Sequence, residues 1–170
     1  MRDLKNVIVF ALGGARWAAE LRHVREVITL GFVTTVPTAP AGIAGVFNRR
    51  GTITPVLDLG PLVGKPPHAT ARQGDGALLI EVDGVTAALR VDNVDEISTL
   101  PAADGVVRDQ RGRPVPLLDA PQLLRRALHA AQAVRGDDAD LSSDGWRRPA
   151  DPLAMPPAAP PDFDGDSTIG

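Results

Sequence analysis

Two stretches of this chain repeat each other. His23-Val24-Arg25-Glu26-Val27-Ile28-Thr29-Leu30 aligns with Asn93-Val94-Asp95-Glu96-Ile97-Ser98-Thr99-Leu100 at an offset of 70 residues. Further on, Arg50-Gly51-Thr52-Ile53-Thr54-Pro55-Val56-Leu57-Asp58 aligns with Arg111-Gly112-Arg113-Pro114-Val115-Pro116-Leu117-Leu118-Asp119 at an offset of 61. The order is the same in both halves: a hairpin, a Val-x-Glu-(Val/Ile) stretch, an Arg-Gly turn, and a Pro-(Val/Leu)-Leu-Asp close. Such a repeat predicts two similar small β units. Each is too small to bury a good core alone, so the two pack together.

The local signals agree with a β fold. Residues 7–12 form a β-rich run ended by Gly13-Gly14, a natural hairpin turn, with the return strand at 17–21. Residues 24–30 fit either a strand or a short helix. Pro37 and Pro40 punctuate a loop. Runs at 43–47 and 52–57 flank the turn Asn48-Arg49-Arg50-Gly51, and runs at 78–82 and 85–91 flank Asp83-Gly84. Residues 64–76 read as a connecting loop. The one convincing helix spans 121–134, with Leu123, Leu124, Leu128 and Ala131 near one face, Pro121 in its first turn and Gly136 as its stop.

Charge divides the chain. Residues 1–135 carry 16 basic and 13 acidic side chains, whereas 136–170 carry 2 basic and 8 acidic ones, all eight being Asp. That stretch is also rich in Pro and Ala, and its composition predicts a disordered tail: it cannot bury enough apolar surface to offset its ordering entropy. Its bulkiest anchors are Trp146, Phe163 and Ile169. It reads as a solubilising segment, or as one that carries a short docking motif near residue 170. The expected organisation is therefore a folded region, 1–135, and an acidic tail, 136–170.

The chemistry classes thin out quickly. There is no cysteine, which excludes disulfides, thiol catalysis and cysteine-ligated metals, and fits a reducing compartment. A formal net charge of −3 argues against a general nucleic-acid binder. No apolar run is long enough to span a bilayer, and no secretory leader is expected. His23, His68 and His129 lack ligand spacing, so no metal site and no cofactor are expected. No nucleophile elbow, phosphate-cradling loop or dinucleotide pattern occurs. Asp58 and Asp119 close equivalent strands, as the paired acids of a two-lobed aspartic protease would. Neither has the small hydroxyl residue beside it that such turns need, and both read better as caps of the next turn or helix.

Read in order, the motifs carry a family likeness. The pieces are Val9-Phe10-Ala11-Leu12-Gly13, Trp17-Ala18-Ala19-Glu20-Leu21 and Val24-Arg25-Glu26-Val27. They continue with Pro37-x-x-Pro40, Gly45-Val46-Phe47-Asn48-Arg49-Arg50-Gly51, Pro55-Val56-Leu57-Asp58-Leu59, and Ala87-Ala88-Leu89-Arg90-Val91-Asp92-Asn93-Val94. Over roughly residues 5–130 the chain resembles the CheW family, the coupling proteins of bacterial chemosensory arrays.

The resemblance implies a mainly β fold: two small five-stranded β-barrel subdomains side by side with a C-terminal helix. It implies no catalysis. The implied partners are the regulatory domain of a CheA-type histidine kinase and the cytoplasmic tip of a methyl-accepting chemoreceptor, and the implied place is the cytoplasm, at receptor arrays. The family's partner-binding positions carry over to Val24, Glu26, Asn48 and Arg50. Each has a plainer role open to it: Val24 as core, Glu26 as a solvated strand residue, Arg50 as an internal ion-pair partner, and Asn48 as a turn-former. Three features depart from the family pattern. Arg49 stands where Leu is usual, residues 100–105 make an unusually short link, and the acidic tail is additional. Two other readings stand beside the coupler. One is a divergent adaptor that binds the kinase alone or serves a pili, gliding or gene-expression pathway. The other is a stand-alone ligand-binding β-barrel, weakened by the absence of Tyr.

Overall fold

The computed structural model describes residues 3–68 and 70–138. The segment expected to be a tail lies outside the described residues from 139 onward. Strands β1 (Asp3–Leu12) and β2 (Ala15–Glu20) form a hairpin, and a 3-10 turn, Leu21–His23, leads into β3 (Val24–Thr29). Then come β4 (Val33–Thr34), β5 (Ile43–Arg49), β6 (Thr52–Leu57) and a short helix α1 (Leu59–Leu62). The second half supplies β7 (Gly76–Val82), β8 (Val85–Val91), β9 (Asn93–Ala103), β10 (Val106–Arg108), β11 (Pro114–Leu118) and helix α2 (Ala120–Asp138).

The repeat and the spatial units do not coincide. One sheet closes into a barrel in the order β1-β2-β11-β10-β9, and the other runs β3-β7-β8-β6-β5-β4. Each sequence half therefore lends its hairpin to the barrel built by the other half. Both offsets reappear in the pairing. Leu117 and Leu118 pair in parallel with Ala18 and Ala19, and Val56 and Leu57 pair in parallel with Ala88 and Leu89. Ile97 faces Ile8, as Val27 faces Leu78. Both third strands break register at the same point, around Asp95 and Arg25.

The second sheet differs from a five-stranded barrel at one place. β9 runs unbroken and pairs first with β1, then with β10. Its counterpart is interrupted at Leu30, Gly31 and Phe32, so β3 pairs with β7 and β4 pairs with β5. The two edges of the sheet are thus successive in the chain, and the unit is the same barrel with its third strand broken. At the break Leu30 turns into the core, whereas Phe32 is 75% exposed. Residues 100–105, read from sequence as a shortened link, are the end of β9 and a two-residue turn with positive φ at Asp104 and Gly105.

Strand alternation builds three cores. Val7, Val9, Ala18, Leu100, Val107 and Val115 fill the first barrel, and Phe47, Val56, Ala77, Leu79 and Ala88 the second. The opposite faces of the same strands meet between the barrels. There Ile8, Phe10 and Leu12 join Leu78, Ile80 and Leu89, with Leu123 and Leu124 of α2 against them. β1 and β7 are buried on both faces, which is why both read as continuous apolar runs.

The paired acids are caps. Asp58 Oδ1 accepts from the Gly60 N–H at 3.0 Å and Asp119 Oδ1 from the Gln122 N–H at 2.9 Å. α1 begins where α2 begins in the second repeat, but it stops after one turn. α2 continues through Gly136 to Asp138, past the predicted stop; a Gly inside a helix costs only about 1 kcal/mol relative to Ala. The loop after α1 is strapped to the first barrel. His68 Nδ1 lies 2.7 Å from Asp58 Oδ1, and the His68 ring packs so closely on Gly13 that a Cβ there would sit 2.5 Å from it. Lys65 Nζ stands 5.1 Å from the centre of the Trp17 ring.

Candidate functional site

The polar residues of interest collect at the mouths of the two barrels. Glu26 pairs across strands with Leu79, Arg49 lies two residues beyond Phe47, and Thr86 lies two before Ala88. Leu79, Phe47 and Ala88 all face the second barrel's interior. Alternation therefore puts Glu26, Arg49, Thr86 and Glu81 on the inward face at one end. With Arg25 and Arg50 they line a shallow cleft of about 440 Å³. The equivalent mouth of the first barrel is a cleft of about 360 Å³ lined by Arg16, Asp95, Glu96, Asp109, Gln110, Arg111 and Arg113. The repeat maps the two mouths residue by residue: Arg25 onto Asp95, Glu26 onto Glu96, Asn48 onto Asp109, Arg50 onto Arg111, and Thr86 onto Arg16.

The first mouth is closed by its own charges. Arg16 Nη1 donates to Asp109 Oδ2 at 2.6 Å, Arg16 Nε donates to Asp95 Oδ2 at 2.9 Å, and Nη2 lies 3.7 Å from Glu96 Oε1. Asp109 is buried, and its other oxygen accepts the backbone N–H groups of Arg111 and Arg113 at 2.9 and 2.8 Å. Arg113 Nε adds a bond to Oδ2 at 2.9 Å. Burial pushes the Asp109 carboxyl up, but the Arg113 N–H and the Arg16 and Arg113 guanidiniums outweigh it and hold it well below the usual carboxylate range. Arg16 is correspondingly raised, first by its bond to Asp109 and then by Asp95.

The second mouth carries one cation more than it has carboxylates. Glu26 on β3 is ion-paired with Arg49 on β5, across the seam that backbone pairing leaves open. Arg25 Nε lies 2.6 Å from Glu81 Oε2, and Thr86 Oγ1 donates to Glu81 at 3.3 Å. Arg50 is exposed, and no carboxylate of the described residues lies within ion-pair distance of it. Its φ is +50°, a left-handed conformation that favours Gly or Asn. Asn48 Oδ1 accepts the Gly51 N–H at 2.8 Å and fixes the turn from which Arg50 projects.

Of the four positions carried over from the resemblance, Glu26 and Arg50 share this cleft. Asn48 holds the turn beside it. Val24 is half-buried, faces Ile80 and packs against the core between the barrels, outside the cleft lining. Sequence reasoning missed Arg25, Glu81 and the role of Arg49, which it noted only as a departure from the usual Leu. The signal was available in the strand period: 47 and 49 share a face, and so do 79 and 81. In chemical terms the mouth is a concave surface with three guanidiniums and two carboxylates, leaving Arg50 able to fork a carboxylate brought by another molecule.

No helix among the described residues is long and apolar enough to cross a membrane. A family model described as CheW-like domain matches residues 6–128. A "Probable chemotaxis protein CheW" of Rhizobium etli is 32% identical over 97 residues, covering 56% of this chain and 61% of the relative. "Protein FrzA" of Myxococcus xanthus is 34% identical over 105 residues, covering 61% of this chain and 64% of its own. The match thus spans about three-fifths of these curated relatives. The crystal structure of the scaffolding protein TtCheW from Thermoanaerobacter tengcongensis superposes with a TM-score of 0.56 at 24% identity, over 68% of this chain and 88% of that one, a likeness of fold.

Proposed function

This chain belongs to the CheW-like family, and on that premise we propose that it is a non-catalytic adaptor linking chemoreceptor tips to the regulatory domain of a CheA-type histidine kinase. The observation that carries the reading is Arg50. It occupies a left-handed turn position at a cost of about 1 kcal/mol, it is exposed, and it has no internal counter-ion among the described residues. Strain of this kind concentrates where a side chain must be presented to something else. Glu26 is already engaged by Arg49, so Arg50 is the group of this cleft left to make a charge-assisted contact with a partner's carboxylate.

The mechanism is positional. Receptors, kinases and couplers engage many times in one assembly, so effective concentration raises modest contacts into a stable array. The adaptor holds the kinase where receptor movement biases its active and inactive states, and no bond is made or broken. The proposal assigns coupling to residues 1–135, treats 136–170 as a separate segment, and locates the protein in the cytoplasm at receptor arrays. A reconstituted array tests it. Arg50→Glu keeps the wild-type unfolding midpoint and abolishes receptor control of the kinase; control at the wild-type level would sink the assignment.

A second reading, an adaptor for the kinase alone, draws on Arg49. By replacing the usual Leu and occupying Glu26, it changes the surface offered to a partner. Separate pull-downs with a receptor fragment and with the kinase regulatory domain distinguish the two: capture by both supports the bridge, and capture by the kinase domain alone supports the second.

A further inference from the structure

We infer that residues 64–68 are a clasp between the two barrels, and that His68, which lies outside the cleft of the second mouth, is a positioning residue that fixes their relative angle. The inference rests on the proposed function in one respect, that coupling needs this cleft held at a set angle to the rest of the chain.

The His68 imidazole reaches both barrels at once. On the second barrel, Asp58 follows the last residue of β6. Its Oδ1 accepts the Gly60 N–H at 3.0 Å and lies 2.7 Å from His68 Nδ1, while its Oδ2 accepts the His68 backbone N–H at 2.8 Å. A carboxylate can only accept, so Nδ1 donates. On the first barrel, the Cδ2 and Nε2 edge of the same ring covers Gly13 in the β1–β2 turn. The Gly13 N–H is itself held by Asp92 Oδ2 at 2.8 Å, at the point where the chain crosses from β8 to β9. Lys65 repeats the bridge. Its N–H donates to the Gly60 carbonyl at 2.8 Å, and its Nζ stands over the Trp17 ring on β2.

The repeat supplies an internal control. Asp83 stands where Gly13 stands, at an offset of 70, and their φ values are +51° and +60°. The turn therefore accepts a side chain at this position. Gly13 nevertheless has no room for one, because a Cβ would lie 2.5 Å from both His68 Cδ2 and Nε2. What demands glycine at 13 is the imidazole and not the turn. Gly60 is constrained in the same way from the second barrel, where a Cβ would run into the Pro66 carbonyl. Two glycines, one on each barrel, are thus fitted to the same five residues. Asp119, the counterpart of Asp58, accepts the Gln122 N–H and the chain runs on into α2, so the clasp is a feature of the first repeat. The apolar core between the barrels resists their separation, but the hydrophobic effect has no direction. The hydrogen bonds of the clasp do have direction, and they set the angle.

The full chain has no cysteine of its own, so spin labels can be placed at Thr52→Cys and Gln110→Cys, exposed positions on the second and first barrels respectively. Pulsed dipolar spectroscopy in frozen solution reads the distribution of distances between them. His68→Ala is expected to broaden that distribution roughly twofold, because the barrels then sample more angles. Val107→Ala, which empties a site inside the first barrel's own core, leaves the width unchanged, so lost stability alone does not mimic the effect. A double-mutant cycle checks the contact itself. Gly13→Asn keeps a residue that tolerates the left-handed turn. It is expected to lower the unfolding midpoint at least about twice as far in the wild-type background as in the His68→Ala background. In a reconstituted array, His68→Ala is expected to weaken receptor control of the kinase at least about threefold. Capture of a receptor fragment and of the kinase regulatory domain, each alone, stays at the wild-type level. A His68→Ala distribution as narrow as wild type, equal effects of Gly13→Asn in the two backgrounds, or full control by a chain with a broadened distribution overturns the inference. The distances and the cycle need no partner, so failure of the coupling reading leaves them standing, and their failure leaves partner capture untouched.

Discussion

Arg16 on β2 and Thr86 on β8 hold the same position at the mouths of the two barrels, and only Arg16 gathers the acids around it into one cluster. Arg16 draws Asp95, Asp109 and Glu96 together and closes its mouth. Thr86 reaches only Glu81, and the second mouth holds three guanidinium groups against two carboxylates where the first holds three against three. Three differences in a repeated frame, Thr86 for Arg16, Arg25 for Asp95 and Asn48 for Asp109, separate a charge-balanced cluster from a mouth with an excess of cations.

Removing Arg16 therefore costs stability where removing Thr86 does not. Arg16→Ala leaves the buried Asp109 with Arg113 as its only guanidinium partner and Asp95 with Asn93 alone. The unfolding midpoint is expected to fall by at least about 4 °C, while Thr86→Ala stays within about 0.5 kcal/mol of wild type. Thermal melts of the two variants check this; an unchanged midpoint for Arg16→Ala would reduce the cluster to ordinary surface pairing.

Asp109 makes stability depend on acid. Its folded-state pKa is depressed, burial being outweighed by the Arg113 N–H and the Arg16 and Arg113 guanidiniums. Its contribution is therefore complete above the ordinary Asp value near 4 and is lost as pH falls from there toward the folded-state value. Asp109→Asn is expected to be less stable than wild type at pH 7 and to lose less on acidification from about pH 5 to pH 2. Urea midpoints at pH 7 and pH 3 measure both. A gap of the same size at the two pH values would contradict the assignment.

Arg50 is expected to trade stability for presentation. Arg50→Gly relieves the left-handed strain and raises stability by roughly 1 kcal/mol, while coupling in a reconstituted array is lost. A variant that is less stable than wild type would show that the guanidinium is anchored within the fold.

The core between the barrels is expected to dominate cohesion. Phe10→Ala empties a fully buried site and costs about 3–5 kcal/mol, whereas Phe32→Ala, at the exposed strand break, stays within about 0.5 kcal/mol. Denaturant titration of both variants reads the difference.

Much of this was legible residue by residue. Gly13-Gly14 and Asp83-Gly84 mark hairpins because their two residues take the positive φ that such turns need. Asp58 and Asp119 announce caps, and each accepts a backbone N–H from the helix it precedes, α1 and α2 respectively. Other features escaped a local reading. The strand at 24–30 is ambiguous in sequence because it leaves the sheet at Leu30, where a buried side chain and an exposed Phe32 break the period. The turn at Asp104-Gly105 carries the same signal as Asp83-Gly84, but it comes after Pro101 and two alanines, which disguise the end of a long strand.

By itself the sequence determined that there are two equivalent β units, which residues correspond between them, and which acids cap which helices, because those are properties of spacing and of neighbours in the chain. Tertiary structure decided where the hairpins go: each half's hairpin fits either barrel equally well by pattern, and burying Ile8, Phe10, Leu78 and Ile80 against one another goes with the exchange. It also decided between two adjacent arginines that are chemically identical on the page. Strand alternation turns Arg49 inward to Glu26, and the left-handed turn one residue later carries Arg50 out to solvent.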